Sequence, residues 1–224
     1  MINIKKYFLE RITPSVLGLI FLLLLTDIHR SFISQLLIVI LIICFRLLDD
    51  LLDLKWDRVQ HPQRLLVNLK NFRSVYLTLS FLILIIFLLL KLYHFMLFVI
   101  LTFIWSIIMF KIPFEKRMLK TTISLLKYPI VLFLTSSFSI FWGKSFLIYF
   151  GVFIYDLLDD KNQNSNKILS MLAPLLVLWG FFISQNHLTH FYIGIVLAFI
   201  AVILKHQKYA GIAFSLAIII FSQA

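Results

Sequence analysis

Residues 36–57 read LLIVILIICFRLLDDLLDLKWD: an apolar run interrupted only by Arg46 before it reaches four aspartates, Asp49, Asp50, Asp53 and Asp57. A second stretch repeats the pattern more briefly, where the apolar 145–158 segment runs into Asp156, Asp159 and Asp160. These two runs hold seven of the ten acidic residues; the others are Glu10, Asp27 and Glu115. A charge at the centre of a membrane helix costs about 2.5–3.5 kcal/mol on insertion scales. Carboxylates gathered this densely beside apolar segments repel one another unless cations lie among them.

The chain around these runs is 62% hydrophobic and only 14% charged, with a mean hydropathy of +1.01. That composition belongs to integral membrane proteins. Nine apolar segments can be marked, near 14–28, 32–48, 74–92, 94–110, 121–140, 145–158, 168–184, 188–204 and 209–222. The expected fold is all-α: a polytopic membrane protein of about nine transmembrane helices, one domain over 1–224, bundled around an apolar pocket. No small-residue cleavage site follows the first apolar run, so no cleavable leader is expected. The lone Cys44 excludes an intramolecular disulfide and a cysteine-built zinc site.

A net charge of +11 invites a nucleic-acid reading, but the placement of the charges argues against one. With the amino terminus inside, 16 Lys and Arg fall on the inner face and three (Arg30, Lys91 and Lys144) on the outer, leaving Arg46 and Lys127 within segments. This is the positive-inside bias of a cytoplasmic-membrane protein. The longest polar stretches, 49–73, 111–120 and 159–167, share the inner face, which is where a site is expected.

Asp50, Asp53 and Asp57 are spaced i, i+3, i+7 and lie within about 60° of arc on a helix, with Asp49 to one side. Asp156 pairs with Asp159 or Asp160 in the same manner. Hard carboxylate oxygens suit Mg²⁺, which commonly takes one or two of them together with phosphate oxygens. Arg58, His61, Arg64, Lys111, Lys116, Arg117 and Lys127 fall where the expected topology puts them within reach of the acids, which suggests an anionic ligand. A pyrophosphate leaving group fits both features, its developing charge neutralised by metal and bases. Lys127 stands mid-segment beside Tyr128-Pro129, where an uncompensated cation is expensive, and is a candidate to face the cavity. Arg46, one turn before Asp49 and Asp50, reads most simply as their buried salt-bridge partner.

These residues resemble the UbiA superfamily of intramembrane prenyltransferases. The family's first motif, N/D-D-x-x-D-x-x-x-D after the second helix, is similar to Asp49-Asp50-x-x-Asp53-x-x-x-Asp57 at every fixed position. Its second, D-x-x-x-D after the sixth helix, is met by Asp156 and Asp160, with Asp159 an additional acid. His61-Pro62-Gln63-Arg64 looks like the P-x-R-P element of one branch, although Leu65 replaces the final proline. The resemblance implies Mg²⁺-dependent transfer of a prenyl group from an isoprenoid diphosphate to a lipophilic, in some members aromatic, acceptor within the membrane. It implies Asp50, Asp53, Asp57, Asp156 and Asp160 as catalytic metal carriers. Diphosphate contacts would be Arg58, Arg64 and Lys116 or Arg117.

A cyclase of the same type would let the substrate's own double bonds capture the cation. The phosphatidyltransferase family's D-G-x-x-A-R motif carries glycine between its acids, and this segment has none, so that resemblance is rejected. A transporter or non-catalytic membrane component is the alternative from a different class. Transporters commonly carry ionisable residues at the midplane on Gly- or Pro-broken helices. Here the acids cluster at segment ends, and no glycine occurs between Gly18 and Gly143.

Overall fold

The computed structural model describes residues 4–25, 31–113 and 117–135, together with 145, 148, 149, 151–153, 212, 216 and 219. Every regular element among the described residues is a helix. In chain order these are α1 (Ile4–Arg11), α2 (Pro14–Leu25), α3 (Phe32–Leu52), α4 (Leu54–Gln60), α5 (Arg73–Leu89), α6 (Leu92–Lys111), α7 (Arg117–Ser124) and α8 (Lys127–Thr135). Two compact units are formed: Met1–Ile20 with His29–Thr135, and Phe21–Ile28 with Ser136–Ala224. The first unit contains the elements considered below. Of the nine expected segments, those at 168–184 and 188–204 lie outside the described residues.

α3 is the axis of the first unit and packs against α5 and α8. Its start is capped by Ser31, whose hydroxyl accepts the Ser34 N–H at 3.3 Å, satisfying a donor that the first turn leaves open. Leu37, Ile38, Leu41, Ile42, Cys44, Phe45 and Leu47 are buried, a spacing that wraps apolar side chains around most of the helix. Phe45 sits at the centre of this packing. Its ring meets Phe98 and Trp105 of α6 edge to face, at centroid distances of 5.9 and 5.7 Å. Such pairs add about 0.5–1.5 kcal/mol beyond area burial.

α3 extends past the apolar segment marked to 48, through Asp49 and Asp50 to Leu52, in keeping with the helical spacing of the aspartates. Asp53 (φ −92°, ψ 3°) closes α3 and opens α4. Helical hydrogen bonding continues across it, from the Asp53 N–H to the Asp49 carbonyl (2.9 Å) and from the Asp57 N–H to the Asp53 carbonyl (2.8 Å). The path is therefore one helix with a single distorted residue. It stops at His61, because the residue before a proline is driven out of α geometry.

The fifth segment, expected as one run over 121–140, is broken instead. Pro129 has no N–H to give the Leu125 carbonyl, which accepts from Tyr128 one residue earlier in a tighter turn (3.2 Å). The Leu126 N–H likewise reaches only three residues back, to Ile123. Trp105 Nε1 donates to the same Ile123 carbonyl at 3.0 Å, pinning the end of α7 to α6.

Two described helices, α3 and α6, are long and apolar enough to cross a membrane. α6 buries only Phe98, Trp105 and Met109 along one stripe. Most of its other side chains are apolar and many are exposed, including Phe103 at 66% and Phe110 at 76%. α5 is similar, with Tyr76, Leu77, Phe81, Leu84, Phe87 and Leu88 all exposed. A helix hydrophobic on all sides requires apolar surroundings, and hydrocarbon satisfies that requirement where water does not.

Candidate functional site

The first aspartate run stands at the end of α3, and each of its four carboxylates meets a different basic side chain. Asp49, 7% exposed, pairs with Lys127 at the start of α8 and accepts the Ser124 hydroxyl at 3.1 Å on both oxygens. Asp50, 4% exposed, pairs with Arg11 of α1 and accepts the Tyr7 hydroxyl at 2.7 Å. Asp53 pairs with Lys120 of α7. Asp57, 3% exposed, pairs with Arg64 in the loop after α4.

The local sequence explains each placement. Asp49 and Asp50 are neighbours about 100° apart on the helix, so they face different elements. The break before Pro129 brings Lys127 and Ser124, at i and i−3, onto Asp49, and Lys127 Nζ lies 3.2 Å from the Ser124 hydroxyl. An ammonium inside an apolar segment is tolerable only with such partners. The turn that starts at His61-Pro62 folds Arg64 back over Asp57, its N–H bonding the His61 carbonyl at 3.0 Å. Asn68 steadies this loop through the Pro62 and Arg64 carbonyls at 2.8 and 3.1 Å.

Asp53 is the electrostatically strained member. Burial, the charge of Asp49 and the charge of Asp57 raise its pKa above the usual carboxylate value, although Lys120 opposes the shift. Tyr7 is also pushed upward, first by burial and then by the Asp50 charge beside it, so its hydroxyl remains a donor.

The candidate residues fare differently. Asp50, Asp53 and Asp57 remain on one continuous helical path, but Asp50 is committed to α1 while Asp53 shares its field with Asp49 and Asp57. Arg58 is exposed, and Arg64 is half-buried against Asp57. Lys127 is buried, and its charge is compensated there by the Asp49 carboxylate. Lys116, Asp156, Asp159 and Asp160 lie outside the described residues, as does the Arg117 side chain. Arg46 is not the salt-bridge partner of Asp49 and Asp50 that sequence position suggested. It feels both charges, but its buried Nε has no hydrogen-bond partner. Its side chain lines two small clefts, one with Tyr7, Arg11 and Ile43, the other with Phe45, Lys127 and Tyr128.

Four contributors were missed in the sequence reading: Tyr7, Arg11, Lys120 and Ser124. Arg11 and Lys120 had been counted as inner-face anchors, and nothing local distinguishes an anchor from a counter-ion to an aspartate distant in sequence. Ser124 carried one usable signal, a hydroxyl one turn before a lysine that needed a partner.

Hard carboxylate oxygens at this spacing suit Mg²⁺, and the mutual repulsion around Asp53 is a charge that a divalent ion would relieve. Among the described residues no three acidic, His or Cys ligands converge on a common point. A divalent ion here would take one or two of these aspartates, the number of carboxylates that Mg²⁺ commonly uses. Comparison with models of known protein families, with curated proteins and with solved structures returned no match.

Proposed function

We propose that this chain is a multi-pass enzyme of the cytoplasmic membrane that transfers a prenyl group from an isoprenoid diphosphate to a lipophilic acceptor, in the manner of the UbiA superfamily. The observation that carries the reading is the aspartate run itself. It lies on an unbroken helical path at the end of a span-length apolar helix, with buried carboxylates and like-charge crowding centred on Asp53. The positive-inside bias supports placing this end on the cytoplasmic side.

In this reading Asp53 and Asp57 hold Mg²⁺, with Asp50 and the second-run residues Asp156, Asp159 and Asp160 as further ligands. Bound there, the ion supplies positive charge for a diphosphate leaving group. Arg64 and Lys120, now spent on Asp57 and Asp53, become available to phosphate oxygens once those carboxylates are otherwise engaged. Arg58, Lys116 and Arg117 add to the cationic rim. The allylic C–O bond breaks with its electron pair leaving on the diphosphate; a bond then forms between the carbocation and a lipophilic acceptor, whose displaced proton passes to the released diphosphate. Lys127 positions rather than binds: it fixes the start of α8 against Asp49. The partners are prenyl diphosphate, acceptor and membrane lipid, and nucleic acid is not among them.

The test is incubation of membranes carrying the protein with isoprenoid diphosphates of different chain length, followed by mass spectrometry of the lipid extract. Wild type releases diphosphate only with Mg²⁺, and Asp53→Ala and Asp156→Ala each abolish release. Undiminished turnover in EDTA would overturn the proposal. Product formed without added acceptor would identify the cyclase variant of the chemistry.

One observation favours a second reading, that of a non-catalytic membrane component. Every aspartate of the first run has its own basic partner, as a purely structural ion-pair network requires. Under that reading, wild type releases no diphosphate from any chain length.

A further inference from the structure

α1 has eight residues, fewer than an isolated helix needs to hold its shape in water, so its position depends on what it is tied to. Its ties are polar and converge on the site. Tyr7 donates to Asp50 Oδ2 at 2.7 Å, and Arg11 Nε donates to the same oxygen at 2.7 Å. A second guanidinium nitrogen of Arg11 pairs with Oδ1. Both oxygens of Asp50 are thus occupied by a single helix, in the bidentate geometry that makes an Arg–carboxylate pair strong. One turn on, the Glu10 carboxylate accepts the Leu65 N–H at 3.2 and 3.3 Å. That ties α1 to the loop whose Arg64 covers Asp57. Leu9 is 74% exposed and Lys6 and Glu10 are exposed as well, so one side of α1 faces outward while Tyr7, 6% exposed, anchors the other.

We propose that α1 is a releasable strap: Arg11 and Tyr7 hold Asp50 as an internal counter-ion, and a divalent cation at the aspartate run must displace them. The inference rests on the metal-binding part of the proposed function. Cation binding and strap closure are alternatives at one carboxylate, so each opposes the other. Because Glu10 ties the same helix to Leu65, release of α1 also loosens the loop that places Arg64. Cation arrival at Asp50 and exposure of Arg64 are thereby one event.

The experiment uses the full chain in lipid nanodiscs and reads Mn²⁺ binding by electron paramagnetic resonance. Arg11→Gln is expected to bind Mn²⁺ about tenfold more tightly than wild type, the effect of removing a charge-assisted competitor from a carboxylate. Tyr7→Phe, which keeps Arg11 and guards against a folding defect, is expected to shift affinity in the same direction by a smaller factor. Lys91→Gln, at the opposite end of the helices, stays at the wild-type value. Saturating Mg²⁺ should accelerate amide hydrogen exchange across residues 4–11 in wild type. Equal Mn²⁺ affinity in wild type, Arg11→Gln and Tyr7→Phe would overturn the strap and leave the metal site standing. No Mn²⁺ binding by any of them would overturn both. Tighter binding in Arg11→Gln without diphosphate turnover would support the strap and remove the enzymatic reading.

Discussion

Lys127 and Asp49 form the most deeply buried ion pair of the site, at 3% and 7% exposure. Breaking such a pair strands a charge in apolar surroundings. Lys127→Ala is therefore expected to destabilise the folded protein by about 3–5 kcal/mol. The double change Asp49→Leu with Lys127→Met, which removes both charges, should recover most of that loss in denaturant unfolding in detergent. Asp53 behaves in the opposite sense to an ordinary paired carboxylate. Its pKa is raised in the fold, so the folded state binds the proton more tightly than the unfolded chain does. The associated cost is absent below the ordinary carboxylate range and complete above the folded value. In EDTA, Asp53→Asn should therefore raise Tm relative to wild type at about pH 7.5 and lose that advantage at about pH 2.5, below the ordinary carboxylate value, where Asp53 is protonated in both states. An advantage that grew on acidification would reverse the sign assigned to Asp53.

At the scale of elements, α6 discriminates between lipid and water as its surroundings. Phe103 projects from it at 66% exposure, on the opposite side from the buried Trp105. Phe103→Arg is expected to lower helix insertion by about 2.5–3.5 kcal/mol if that face meets hydrocarbon. In water the same change would be close to neutral, since surface substitutions usually are. An insertion assay on the α5–α6 hairpin reads the difference directly. The α7–α8 break belongs to this scale too. It was legible as Tyr128-Pro129, but a proline alone says only that a hydrogen bond is missing. Which carbonyl is left over, and that Trp105 meets the end of α7 at Ile123, required α6 to be in place.

For the whole molecule, the charge bias predicts sidedness. Cys44 is fully buried, so the natural chain provides a silent background for cysteine labelling. Lys70→Cys lies in the polar stretch assigned inside, and Lys91→Cys lies between α5 and α6. In intact cells an impermeant maleimide should label Lys91→Cys and spare Lys70→Cys until the membrane is opened. Equal labelling of both before lysis would remove the topology on which the cytoplasmic site depends.

The sequence alone determined the all-helical class and the position of the aspartate run at the end of an apolar helix. Both are local properties: hydrophobic length sets the helices, and the i, i+3, i+7 spacing sets which carboxylates share a face. It could not determine which cation meets which carboxylate. Arg46, three residues from Asp49, was the natural choice by proximity along the chain, while the partners came from positions 11, 64, 120 and 127. An ion pair is decided by distance in space and by burial, and those exist only after α1, α7 and α8 have packed around α3. The tertiary structure alone turned four like charges into four separate pairs, and it alone placed a surface helix across Asp50.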